Sequence, residues 1–413
     1  MTRLAMCHTV GNANVRAAAQ ALLEGGLLAE FWITLAWNPE SWLNRVLPAA
    51  LLRQCQRRAL SPALLACTRT RPWRELGRLV AGGLGWTRPL RHEAGMFSLD
   101  AINRDLDGAF ARRLRRLAAR GGVTGVYAYE DIALATFSTA AELGLRRIYD
   151  LPSAHWREFA ALIAVEEAER PEWAPTLIGN QDSAAKNAGK DEELRLATTI
   201  IVASDYTRRT LAAAPGVTAP IHVVPYGAPP AAGERAWERG GPLRALSVGS
   251  LTQRKGLSFL FAAAAALPRE VALTVIGSRP VACPALDRAL AAHRWLPSLP
   301  HGEVLAEMRR HEVLVLPSLH DGFGLVIAEA MSQGLVVITT SNTAGPDLIS
   351  DGEDGFIVPI RDHAAIVERL ALLVRDRARV EAMGRRAQAR VAQLTWERYR
   401  AGVLAIASGA RRA

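Results

Sequence analysis

The sequence predicts an α/β protein made of two Rossmann-like domains that face each other across a cleft. Three observations predict it. A chain of 413 residues is too long for one ordinary hydrophobic core, so two domains is the natural division. Its opening reads as strand, helix, strand, the pattern of a parallel sheet. After a stretch rich in Pro, Gly and Ala, the same pattern starts again at Leu243.

Residues 3–9 read as a buried first strand; one arginine and a short apolar run do not make a signal peptide. The turn Gly11-Asn12-Ala13-Asn14 follows. Helical periodicity over 15–23 stops at Gly25-Gly26, and a second apolar run covers 31–36. Further strands are expected at 123–129, 147–149, 199–203 and 221–224, with helices at 107–119, 132–143 and 206–213. Residues 231–242 have no apolar period and read as a linker. Beyond it, strands at 243–248, 271–276, 313–316, 335–339 and 356–358 alternate with helices at 256–267, 325–332 and 363–374. The expected division is therefore 1–230, a linker at 231–242, and 243–390. Residues 391–413 form a closing helix free to return to the first domain. Ligands of such folds sit at the carboxyl ends of the strands, here in the cleft.

Composition excludes more than it assigns. Half the residues are hydrophobic and 22% are charged, as in ordinary globular proteins. The apolar run near residues 26–37 is broken by Glu30 and is too short to span a bilayer. Cys7, Cys55, Cys67 and Cys283 form no CxxC pair, so neither zinc site nor disulfide framework is suggested, and a cytoplasmic protein with reduced thiols is expected. The net charge of +10 comes almost wholly from arginine and accompanies abundant alanine, a bias of genome composition that decides little about partners. Only Lys186, Lys190 and Lys255 are lysines, which makes Lys255, alone in the C-terminal half, informative. No basic–aromatic recognition module is present, so no nucleic-acid partner is expected. The stretches 42–60, with Trp42, Arg53, Arg57 and Arg58, and 71–91, with Trp73 and Trp86, suit peripheral contact with an anionic membrane, or a helical pair packed on the domain.

The densest chemistry lies between Leu314 and Pro359. A strand ends at Pro317-Ser318, Leu319-His320-Asp321-Gly322-Phe323-Gly324 follows, and a helix carrying Glu329-Ala330-Met331 stops at Gly334. The glycines allow a ligand close to the backbone, and the helix start turns free N–H groups and partial positive charge toward it. On a helical path Asp321 and Glu329 would stand roughly 12 Å apart, which suits one carboxylate at a sugar and another at a ribose. Each accepts hydrogen bonds from vicinal hydroxyls. The bland alternative is that Asp321 caps the helix and Glu329 is a solvated face residue.

A second signal, Ser247 to Gly256, follows the first strand of the second half. Gly249 opens the turn, and the adjacent cations Arg254 and Lys255 beside a helix start make a place for a diphosphate. No metal site is expected: Asp105-Leu106-Asp107 spells DxD but reads as the solvated start of an arginine-rich helix, and no His/carboxylate cluster has ligand spacing.

With both segments in view, the chain resembles the retaining glycosyltransferases of family 4, which have the GT-B architecture. The matching segments are Gly249 to Gly256, Asp321-Gly-Phe-Gly through Glu329-Ala-Met to Gly334, and 342–349. Asp354-Gly-Phe-Ile-Val-Pro359, Val202-Ala-Ser204 and Val224-Pro-Tyr-Gly227 match as well. The likeness is strong over about 200–362 and weaker before it. It implies that Arg254 and Lys255 hold the diphosphate, that Glu329 binds the ribose, and that Asp321 contacts the transferred sugar beside the backbone of Gly322, Phe323 and Gly324. The first acidic position is usually Glu in the family; Asp shortens the reach by one methylene.

The resemblance also puts the Gly11 to Asn14 loop at the cleft, with Asn12 and Asn14 as polar contacts, against an ordinary turn in which Asn14 caps the helix. The strand ends Tyr129-Glu130-Asp131 and Tyr149-Asp150 face the same way. Asp150 and His155 are expected beside the reacting sugar, though a lone histidine is more often structural. No cofactor is implied: a nucleotide diphosphate sugar is the donor and a glycan or lipid-linked molecule the acceptor. A dinucleotide-dependent dehydrogenase would need GxGxxG where Gly11-Asn12-Ala13-Asn14 stands. A sugar-nucleotide epimerase of the same architecture stays open.

Overall fold

The computed structural model describes residues 2–47, 52, 55–177, 182–233, 235, 237 and 240–409. In the N-terminal domain seven strands form one parallel sheet: β1 (Leu4–Cys7), β2 (Leu28–Ile33), β3 (Thr68–Thr70), β4 (Gly125–Tyr129), β5 (Arg146–Leu151), β6 (Thr199–Val202) and β7 (Ile221–Val223). Their order is β3-β2-β1-β4-β5-β6-β7. The C-terminal domain holds β8 (Leu243–Val248), β9 (Val271–Ile276), β10 (Arg294–Leu296), β11 (Val313–Leu316), β12 (Val336–Thr340) and β13 (Gly355–Val358), in the order β10-β9-β8-β11-β12-β13. Central strands such as Leu4-Ala-Met-Cys7 and Val313-Leu-Val-Leu316 are buried throughout because helices cover both faces of a parallel sheet. The chain thus has the GT-B arrangement of two parallel-sheet α/β domains.

Several elements differ from expectation. Asp105 and Asp107 lie well inside a 21-residue helix, Leu99–Ala119, rather than at a solvated start. Asp105 accepts hydrogen bonds from Arg71 and Trp73. Asp107 is buried and accepts the backbone N–H groups of Ala135 and Thr136, so it caps the neighbouring Leu134–Glu142 helix. Asn14 does not cap its own helix, Ala13–Glu24; Asn12 holds the cap position, and the Asn14 side chain instead donates to the Tyr226 hydroxyl at 3.3 Å.

The chain crosses between domains twice at one place. The Ala228 N–H donates to the Leu394 carbonyl at 2.7 Å, just before the Trp396–Ser408 helix runs back along the first domain. That helix packs so closely on Ala13–Glu24 that a Cβ on Gly25 would stand 2.2 Å from Leu404. Arg146 donates to the Ala407 carbonyl at 2.7 Å. Of the linker, Ala232 accepts from Gln388 at 2.6 Å and Arg235 donates to the His311 carbonyl at 2.7 Å, holding the described part against the second domain.

Candidate active site

The loops at the carboxyl ends of both sheets meet. From the first domain come Pro152 and Ser153 after β5 and the Asp205–Thr210 helix after β6; from the second come Gln253 after β8, His320 to Gly322 after β11, and Ser341 and Asp347 after β12. Gly322 is the tightest point. Its carbonyl accepts from Ser204 and, at 3.0 Å, from Thr207, and a Cβ on it would stand 2.2 Å from the Pro152 carbonyl oxygen. Only glycine fits such an approach of two backbones. The Asp205 N–H donates to Asp347 at 2.7 Å, and Gln253 joins Glu166 at 2.7 Å, which also takes Arg361 at 2.6 Å.

His320 is wedged into this contact. Its Nδ1 lies 3.1 Å from the Tyr206 hydroxyl and its Nε2 3.3 Å from the Ser153 hydroxyl. Burial, helped by Arg254, pushes its imidazole down to about 4, so it is neutral at ordinary pH.

Beside it the expected chemical groups converge. Lys255 forms an ion pair with Asp321, and Arg254 donates to the His320 carbonyl at 3.0 Å. Burial alone would raise the Asp321 carboxyl, but Lys255 and Arg254 outweigh it and hold it below the usual carboxylate range. A Cβ on Gly249 would lie 3.7 Å from the Lys255 stem, and φ at Gly249 is 148°, so this glycine lets the strand end turn beneath the lysine. Gly256 (φ 71°) packs against the Pro317 carbonyl, which ties the cationic loop to the acidic one.

The uniform helical path from Asp321 to Glu329 does not occur. The helix is Leu325–Ser332, begun at Gly324 in the left-handed conformation (φ 73°), so Asp321 sits on the preceding turn and only Glu329 rides on the helix. The first N–H groups of that helix open toward the turn. Glu329 lies 3.0 Å from Nε2 of His301, an exposed histidine at the start of the His301–Met308 helix. His301 was not legible as a partner, because nothing in the local sequence ties residue 301 to residue 329. Phe323 turns its ring inward, 5.1 Å from Tyr226.

The N-terminal candidates divide. Gly11 is buried and Asn12 exposed. Asp150 and His155, expected beside the sugar, are each 1% exposed and do not reach the cleft. Asp150 accepts from the Tyr127 hydroxyl at 2.6 Å inside the domain, where burial raises its carboxyl to about 7. His155 Nε2 stands 3.0 Å from Asp191, and burial lowers its imidazole. Asp150 lies on β5, which supplies side chains to both sides of the sheet, and His155 sits at the N-cap of the Trp156–Glu169 helix; both point into the protein.

What lines the first domain's side of the cleft is a different set: Glu130, Ser153, Trp156, Phe159, Asn187 and Lys190, facing Arg254 and His320 around a cavity of about 280 Å³. Asp182, which lines the same cavity, binds Lys190 and Lys186 at 2.8 and 2.9 Å, and Lys186 also binds Asp100 at 2.7 Å. The sequence carried one clue to this set: two of its three lysines lie four apart, on one face of the Ala184–Leu196 helix. Among the described residues one group, His92, Glu93 and Asp182, stands close enough to share an ion, but Asp182 is already the partner of both lysines.

Two facing parallel-sheet domains, with a cationic pair and an acidic turn in the cleft between them, give the GT-B arrangement. Residues 235–390 match the family model of glycosyl transferases group 1. A sucrose synthase from Acidithiobacillus caldus is 39% identical over 124 residues, 28% of this chain and 16% of that protein. The chain covers 16% of that sucrose synthase and 44% of a D-inositol 3-phosphate glycosyltransferase from Corynebacterium efficiens. The fold extends further. The sucrose-phosphate synthase of Thermosynechococcus elongatus superposes with a TM-score of 0.65 at 19% identity, over 99% of this chain and 98% of that one. Anabaena HepE bound to UDP-glucose gives 0.62 at 12% identity, over 99% and 100%.

Proposed function

We propose that this protein moves a sugar from a nucleotide diphosphate sugar to an acceptor hydroxyl with retention of anomeric configuration, as in glycosyltransferase family 4. The observation that carries the proposal is the convergence of Arg254, Lys255 and Asp321 on one turn in the interdomain cleft. HepE, which shares the fold, is seen with UDP-glucose, and a relative matched over part of the chain is a sucrose synthase. Arg254 and Lys255 hold the diphosphate and stabilise the charge that grows on it as the glycosidic bond breaks. Glu329, released from His301, takes the ribose hydroxyls, and Asp321 orients the sugar beside the backbone of Gly322, Phe323 and Gly324. Neither Asp150 nor His155 touches the sugar. Among the described residues no side chain stands as a covalent nucleophile, so the leaving phosphate takes the proton of the acceptor on the same face.

The arginine–lysine pair replaces a divalent metal in this scheme, and no cofactor is used. Nucleoside diphosphate release from a panel of UDP- and GDP-sugars is expected to continue at full rate in EDTA. A requirement for magnesium or manganese would overturn the metal-independent mechanism.

We also propose peripheral contact with anionic membrane. Among the described residues no helix is long and apolar enough to cross a membrane. The Trp73–Gly83 helix and the turn after it leave Trp73, Leu76, Val80, Leu84 and Trp86 each 45–58% exposed, with Arg74, Arg78 and Arg88 beside them. Part of the 42–60 stretch lies outside the described residues; Trp42 is 69% exposed. Vesicles rich in phosphatidylglycerol should sediment the protein. Val80→Glu with Leu84→Glu should weaken that binding at least about tenfold; unchanged sedimentation would remove the membrane from the scheme.

A further inference from the structure

Glu130 follows β4 at the cleft, in the cavity of about 280 Å³ that faces Arg254 and His320. The next residue, Asp131, holds the left-handed conformation (φ 69°), unusual outside glycine. Its N–H is fixed at 3.0 Å by the buried carboxylate of Glu193. Glu193 also takes the N–H groups of Ala133 and Leu134 and the Tyr149 hydroxyl. The turn that carries Glu130 is therefore rigid. Among the described residues no donor bonds the Glu130 carboxylate. Its neighbours do have partners: Lys190 is bound to Asp182 at 2.8 Å, and Asn187 donates to the Asp182 carbonyl at 3.4 Å. Two aromatic side chains, Trp156 and Phe159, line the same space. Arg157 already covers a face of the Trp156 ring, at 4.2 Å.

An unpaired carboxylate beside aromatic rings suits vicinal hydroxyls on an apolar ring face. It does not suit an anion. Lys190 already shares the charges of Asp182, Asp131 and Glu130 itself, and Arg254 is committed to the diphosphate on the proposed function, so a phosphate here would meet the charge of Glu130 with no free cation. Nor does the lining call for an ammonium, since Trp156, the ring best suited to a cation, already carries Arg157 on one face. We infer that Glu130 holds the acceptor, and that the acceptor group in this cavity is an uncharged ring with vicinal hydroxyls, a neutral sugar or cyclitol. The size of the cavity admits one such ring.

This inference rests on the transferase reading, and its test separates the two. Burial pushes the Glu130 carboxyl up to about 7; Lys190 and Lys186 lower it, and Asp131 and Asp182 raise it. The neutral His320 and Arg254 face it from the other domain. The carboxylate form therefore prevails only above about 7, and acceptor binding should tighten as pH rises through neutrality.

The full chain would be given UDP-glucose and GDP-mannose, with glucose, mannose and myo-inositol as acceptors, and with their phosphate esters and glucosamine as charged counterparts. Transfer to a neutral ring is expected. Glu130→Gln should raise the acceptor KM about 10–100-fold, as for loss of hydrogen bonds to a charged group. Donor KM and acceptor-free hydrolysis should stay unchanged. The wild-type acceptor KM should fall between pH 6 and 8, and that slope should vanish in the variant. Preference for a phosphate ester or glucosamine, transfer to none of the neutral rings, or an unchanged acceptor KM in Glu130→Gln would overturn the inference. Failure to release nucleoside diphosphate from either donor would instead sink the transferase reading, and the inference with it.

Discussion

Lys255→Ala is expected to lower kcat by roughly 10²–10³, about 2.7–4 kcal/mol, the usual loss for one preorganised charge-stabilising contact. The effect should fall on kcat far more than on the donor KM, because the charge on the leaving diphosphate is greatest in the transition state. Lys255 has a second task that sharpens the expectation. It forms an ion pair with Asp321, whose carboxyl stays ionised despite burial because Lys255 and Arg254 lie beside it. Removing the ammonium leaves that carboxylate poorly compensated, so its pKa should rise toward or above the ordinary range. Steady-state kinetics on Lys255→Ala, with Lys255→Arg as a charge-preserving control, would check this. A variant with wild-type kcat would show that the lysine does not stabilise the leaving group.

Gly322→Ala is the other change with a large expected effect, and it acts by geometry alone. The added methyl would stand 2.2 Å from the Pro152 carbonyl oxygen and 2.8 Å from Cα of Ser153, both backbone atoms that cannot swing aside. The two domains must separate by roughly 1 Å at this point, and a displacement of that size can cost about 10² in rate. The same shift would loosen the bonds from Ser204 and Thr207 to the Gly322 carbonyl and the seat of His320. Most of the buried apolar residues lie in the sheets and helices away from this contact, so the fold should survive; thermal unfolding near the wild-type midpoint with a fall in kcat is the expected pair of results. Full activity in Gly322→Ala would mean that the closed contact between Pro152 and Gly322 is not the working state.

Much of this arrangement was legible because its signals are local. The alternation of apolar runs with amphipathic stretches marked eleven of the thirteen strands among the described residues; β3, β10 and the exact limits of others escaped. The two missed edge strands are three residues long, and Thr68-Arg-Thr70 has no apolar run at all. The cationic pair and the acidic turn were legible for the same reason: glycines, charges and a helix start stand within a few residues of one another. What was not legible depends on distant partners. Asp150 reads as a cleft residue until Tyr127, 23 positions earlier, is seen to bond it inside the domain. Asp107 reads as solvated until the backbone of Ala135 and Thr136 is laid against it. Glu130 was visible only as part of a strand end. Its isolation follows from Glu193, 62 residues beyond Asp131, fixing the next turn, and from Asp182 binding Lys190 across the start of its helix.

The most direct measurement is proton NMR of the reaction as it runs in EDTA, with the donor that the panel shows to be consumed. An α-linked nucleotide sugar should give free nucleoside diphosphate and a first-formed product whose anomeric proton has the small coupling of the α configuration for a gluco-configured sugar. That result would place bond breaking and bond making on one face of the sugar, with Arg254 and Lys255 holding the leaving group. A β-configured first product, or no nucleoside diphosphate from any donor, would contradict it.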